Sequence, residues 1–114
     1  MEITFGEYIK QRRNELGYPL HKVATQIDID PSTLGKIEKD ERIINIELLE
    51  TLSSILKTDR KTLLNYHYST RIANELKEYP EYKDVLNIVN DQLAYFASKQ
   101  QKIKFNKDWR EKEF

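Results

Sequence analysis

Apolar side chains recur at three- and four-residue intervals along most of this chain, and no alternating run is long enough to predict a strand. The pattern predicts an all-α fold, with five helices up to about Asn65 and a helical extension after them. Helix 1 opens at Thr4-Phe5-Gly6-Glu7, which has capping-box spacing, and puts Phe5, Ile9, Arg12 and Leu16 on one face before Gly17 stops it. Helix 2 runs from about Pro19 to Ile27 with Leu20, Val23, Ala24 and Ile27 inward; the small Ala24 lets another helix cross closely. After the turn Asp28-Ile29-Asp30, helix 3 starts with Asp30 as N-cap and Pro31 at N1, and ends near Asp40. Asn45 caps helix 4, which buries Leu48, Leu49, Leu52, Ile55 and Leu56, and Asp59 caps helix 5 with Leu63 and Leu64.

Beyond helix 5 the pattern weakens. Around His67 the helix either continues through Ile72 and Leu76 or breaks, and Pro80 marks a boundary at which it takes N1 of a last helix. That helix carries Tyr82, Leu86, Val89, Leu93 and Phe96, a stripe that predicts packing onto its own domain or across a dimer, the near-3.5 period pointing to self-association. Past Lys99 the periodicity is lost. The expected organisation is residues 1–66 as one domain, 67–98 as a dimerising helical extension and 99–114 as a mobile tail.

Composition narrows the chemistry. The 114 residues include no cysteine, which excludes disulfides, thiolate metal sites and a cysteine nucleophile. His21 and His67 stand without ligand-like companions, and no nucleophile–base grouping or phosphate-cradling glycine loop is visible, so no metal, cofactor or enzymatic activity is expected. No apolar run approaches the roughly 20 residues that span a bilayer, and no signal-peptide pattern opens the chain, so a cytoplasmic protein is expected. Charge gives no support to a nucleic-acid partner: Lys plus Arg and Asp plus Glu are both 19, and up to Asn65 they are 10 and 11. Any such function has to rest on local pattern.

That pattern lies in Leu16 to Arg42. Leu16-Gly17, Val23-Ala24, Ile29, Ser32-Thr33-Leu34 and Ile37-Glu38, followed by a leucine-rich fourth helix, resemble the Xre family of lambda-repressor-like helix-turn-helix domains. Helical geometry supports the same assignment independently: Leu34 and Ile37 face inward, while Ser32, Gly35, Lys36 and Lys39 cluster on the opposite side as a slim face suited to a major groove. The resemblance implies base reading by Pro31, Ser32, Gly35 and Lys36, phosphate contacts from Thr33, Lys39, Arg42 and Asn45, and an Arg13–Glu38 ion pair locking helix 1 to helix 3. Three positions depart from the family: Leu20 stands where a phosphate-gripping polar residue is common, and Asp28 and Asp40 replace turn glycines. Leu20 and the Asp40-Glu41 pair are expected to weaken phosphate binding at each half-site.

The function implied is a bacterial transcriptional regulator that binds double-stranded operator DNA as a homodimer, as a repressor or autoregulator, similar to the controller proteins of restriction-modification systems. The alternative is an antitoxin or anti-regulator whose C-terminal helices bind a partner protein.

Overall fold

A computed structural model describes residues 3–113, with side chains described through residue 101. Its elements are all helical: α1 (Phe5–Glu15), α2 (Leu20–Gln26), α3 (Pro31–Glu38), a short 3₁₀ turn (Ile46–Leu48) running into α4 (Leu49–Ile55), α5 (Arg60–Leu76) and α6 (Tyr82–Glu113). The chain divides into two compact units, one ending at Glu75 and one beginning at Leu76.

The first unit is built around Ile9, Leu34, Leu49, Leu52, Leu56 and Leu63, with Phe5, Val23, Ala24, Ile27, Ile37 and Ile44 completing the core. α1 starts with the full capping box: the Glu7 amide donates to Thr4 Oγ1 at 3.2 Å, and the Thr4 amide donates to Glu7 Oε1 at 3.1 Å. Asp30 and Asn45 differ as caps. Asn45 Oδ1 accepts the Glu47 amide at 3.0 Å, whereas the Asp30 side chain makes no bond to the amides of α3.

α1 to α4 all stop in the same way. A residue at positive φ reverses the chain (Gly17 at 71°, Asp28 at 58°, Asp40 at 59°, Lys57 at 53°), and the next amide returns to a carbonyl five residues earlier. These closures are Tyr18 to Arg13 at 3.1 Å, Ile29 to Ala24 at 3.0 Å, Glu41 to Lys36 at 2.9 Å and Thr58 to Ser53 at 3.0 Å. Each satisfies a carbonyl that the end of the helix would otherwise leave open. A non-glycine residue in this conformation costs up to about 1–2 kcal/mol, less for Asp than for Lys, so Asp28, Asp40 and above all Lys57 sit against a local preference.

α1 is the hub of the unit. At its start the Phe5 amide donates to Thr70 Oγ1 of α5 at 2.8 Å and the Gly6 amide to Asp40 Oδ1 at 2.9 Å, while the Thr4 hydroxyl donates to Asp40 Oδ2. Asp40 is thus a second cap for α1, which explains an acid where the family commonly has glycine. Further along, Arg12 donates from Nε to the Leu56 carbonyl at 2.9 Å and from Nη2 to the Lys57 carbonyl at 3.3 Å, placing a cation at the C-terminus of α4. Tyr8 stacks on Tyr66 with ring centroids 4.6 Å apart and hydrogen-bonds Thr58 through its hydroxyl at 2.9 Å.

These contacts also explain where α5 goes. It passes His67 without a break because Tyr66, His67 and Thr70 all meet α1. The boundary expected after residue 66 therefore lies inside a continuous helix, and the compact unit extends to Glu75. In the second unit, α6 begins two residues after Pro80 rather than at it, and its helix continues past Lys99 to Glu113, through the segment expected as a mobile tail. That segment contains no glycine or proline to end a helix.

Two outcomes follow from this packing. A Cβ on Gly6 would meet the Glu38 carbonyl oxygen at 2.5 Å and that of Ile37 at 2.6 Å, both fixed backbone atoms. Gly6→Ala is expected to cost about 1–3 kcal/mol of stability, read as a lower urea midpoint. His67 is 4% exposed, edge-on to Phe5 at 5.8 Å and to Tyr68 at 5.2 Å. Burial, with a smaller contribution from the Arg71 charge, holds its pKa below the ordinary 6.5. The unfolded chain therefore takes up this proton first, so stability is full above pH 6.5 and falls as pH drops from there through the folded value. His67→Phe should flatten that part of a stability-versus-pH curve measured by chemical unfolding.

Candidate nucleic-acid interface

α2 and α3 form the helix-turn-helix. Ala24 is fully buried at their crossing, and Asp28 at positive φ turns the chain between them. α3 packs against both α1 and α2 through Leu34, Ile37 and Glu38. Its other side carries Ser32, Lys36 and Lys39 exposed, with Gly35 half-exposed between them. Pro31 occupies N1, also exposed. Pro31 has no N–H and Asp30 offers no side-chain cap, so the backbone donors that open α3 are those of Ser32 and Thr33. The result is a slim outer face with hydroxyls at the start and cations at the end.

The residues expected to contact phosphate divide into groups. Thr33 and Arg42 line one crevice beside the N-terminus of α3, together with Thr25 and Asp28. Lys39 is at the C-cap of α3, and Asn45 is exposed ahead of α4 with its carbonyl oxygen committed to the Glu47 amide. Thr25 had no role in the sequence reading. It sits in the last turn of α2, where its hydroxyl donates to the His21 carbonyl at 2.8 Å.

Arg13 and Glu38 are joined by two parallel bonds, Nε to Oε2 at 2.7 Å and Nη2 to Oε1 at 2.9 Å, with side-chain exposures of 11% and 5%. A third Arg13 nitrogen, Nη1, donates to the Tyr18 carbonyl at 2.9 Å. The hydrogen bond to Glu38, ahead of the opposing effect of burial, raises the Arg13 pKa, so the guanidinium stays charged. This contact fixes the angle at which α3 leaves the body of the unit.

Leu20, expected on the inward stripe of helix 2, turns only partly inward. It begins α2 and is half-buried, and its Cδ2 lies 3.8 Å from where a Gly35 Cβ would be. It therefore flanks the outer face of α3. Tyr82, Leu86, Val89, Leu93 and Phe96 lie along one side of α6; Val89 is half-buried and the others are exposed. Among the described residues no group of three potential metal ligands occurs, and no helix is long and apolar enough to cross a membrane.

Known proteins share this arrangement. The helix-turn-helix family profile matches residues 9–63. The chain is 34% identical over 97 residues to the HTH-type transcriptional regulator SinR of Bacillus licheniformis, covering 84% of this chain and 83% of that one. SinR of Bacillus subtilis strain 168 is 31% identical over the same shares of both chains. Among solved structures, a SinR–SinI protein complex matches with a TM-score of 0.50 and 26% identity, covering 89% of this chain and 98% of that chain.

The buried pair gives a stability test. Glu38→Ala strands a guanidinium that water reaches poorly, and is expected to cost about 3–5 kcal/mol in urea unfolding. Replacing both partners, Arg13→Met with Glu38→Leu, should cost less than Glu38→Ala alone, because no unpaired charge remains.

Proposed function

The chain belongs to the helix-turn-helix family of DNA-binding transcriptional regulators, and from that premise we propose that it reads operator DNA through α3 as a homodimer and represses by occluding a promoter. The observation that carries this reading is the outer face of α3, where Ser32, Gly35 and Lys36 stand free of the core while Leu34, Ile37 and Glu38 anchor the helix. A face of this width suits a major groove, and the exposed Lys36 supports a contact to guanine O6 or N7. Pro31 and Ser32 meet bases at the first turn. Thr33, Lys39, Arg42 and Asn45 hold phosphates on either side, helped by the amides at the start of α3. A near-neutral unit binds DNA in this way because its donors are concentrated at one edge.

The exposed side of α6 supplies the second half-site. A chain presenting Tyr82, Leu86, Val89, Leu93 and Phe96 on one helix buries them against a second copy, and the two α3 helices then meet successive major grooves about 34 Å apart. A second reading has support of its own, since the relative SinR has been solved in complex with SinI. On that reading a partner protein takes the α6 face, and DNA binding responds to it.

Light scattering of the full chain at micromolar concentration distinguishes the two: a two-chain mass is expected, and a clean monomer rejects the homodimer. In binding assays on cognate and random duplexes, Lys36→Ala should lose about 5- to 150-fold on the cognate duplex alone. Arg42→Ala should weaken both duplexes alike and reduce the salt slope by about one. Equal losses on the two duplexes for Lys36→Ala would remove that residue from base reading.

A further inference from the structure

We propose that Leu20 and Gly35 form an apolar notch on the recognition face that reads the C5-methyl group of a thymine. The inference rests on α3 entering a major groove, as argued above. Leu20 is the first residue of α2, yet only part of its side chain is used by the core. Its Cδ2 reaches the surface of α3 at Gly35, 3.8 Å from the point a Cβ there would occupy, and apart from Gly35's chain neighbours and the backbone of its own helix no other atom lies within 4 Å of that point. The Leu20 methyl and the side-chain-free Gly35 therefore lie side by side on this face, an apolar group next to a position with no side chain of its own. Ser32 and Lys36, one turn before and one residue after Gly35, border it with polar groups.

The four base pairs present different edges to such a notch. Guanine and adenine offer acceptors or donors that a leucine leaves unpaired, whereas thymine offers a methyl group beside its O4 acceptor. Burying the methyl against Leu20 removes apolar surface from water on both partners. The missing Gly35 side chain lets the DNA edge approach closely enough for the contact. Leu20 is thus a specificity determinant rather than only a lost phosphate contact, and it directs the half-site toward a thymine beside the base read by Lys36.

The test uses the full chain and a duplex enriched with it from a randomised pool. Each thymine in the enriched duplex is replaced in turn by deoxyuridine, which lacks only the methyl group. Substitution at one position per half-site is expected to weaken binding about fourfold, the worth of one buried methylene-sized group. Leu20→Ala should bind the thymine and uracil duplexes equally. If Leu20→Ala melts too low to assay, Gly35→Ala serves instead: it has better helix propensity, its new methyl sits at ordinary contact distance from Leu20, and it fills the notch. That variant should favour uracil over thymine at the same position. Binding of the enriched duplex with no thymine sensitive to the exchange, or with sensitivity unchanged in both variants, overturns the notch while leaving DNA reading intact. Failure to enrich any duplex overturns both.

Discussion

The recognition face depends on one buried ion pair. Arg13 and Glu38 meet through two bonds with little access to water, and the spare Arg13 nitrogen holds the Tyr18 carbonyl where α1 hands over to α2. One guanidinium therefore fixes α1, the connection to α2 and the last turn of α3 together. Removing two such charges from water costs several kcal/mol per ion, so the pair stabilises the fold only because its geometry is saturated. Its value is in direction. A helix of eight residues has too few core contacts to hold its own angle, and reading bases requires that angle to be set before DNA arrives.

Around this pair the protein places a second constraint, the contact of α1 with the end of α3. Gly6 lets the first turn of α1 press on the Ile37 and Glu38 carbonyls, and Asp40 turns back to accept the Gly6 amide and the Thr4 hydroxyl. Asp40 does this from a left-handed conformation that glycine would adopt more easily. Glycine, however, has no carboxylate to offer the positive end of α1. The local strain at Asp40 is offset by bonds to a helix far away in sequence. It also keeps that negative charge turned toward α1, which softens the objection that an acid beside the recognition helix repels phosphate.

What the sequence disclosed and what it withheld divide along the same line. The Thr4–Glu7 box, the Gly17 stop, the turn at Asp28 and the inward set of Val23, Ala24, Leu34 and Ile37 depend on neighbours within a few residues, and periodicity reports such neighbours well. The family resemblance added which residues of the outward side are expected to meet bases and which phosphates. The contacts between distant segments stayed hidden: Gly6 against α3, Arg12 over the end of α4, Thr70 on the Phe5 amide, and Leu20 beside Gly35. None has a local pattern, because each is created by the angle at which two helices cross. Lys57 illustrates a further limit, since its positive φ follows from the closure onto Ser53 and Ser54, not from its residue type.

The balance of charge explains why the two units belong together. A first unit with nearly equal acids and bases up to Asn65 gains little from the phosphate attraction that supports most non-specific binding. On the proposed reading, its affinity for one half-site rests on the short list of groups along α3 and the crevice at Thr33 and Arg42. Joining two such units through α6 turns the second contact into an intramolecular one, and linkage of this kind raises overall affinity by about 10²–10⁴ without any new bond to DNA. Weak half-sites make that gain the controlling quantity. On the same reading, a second copy or another protein covering Leu86, Val89 and Leu93 controls occupancy of the operator from a helix separate from the residues proposed to read bases.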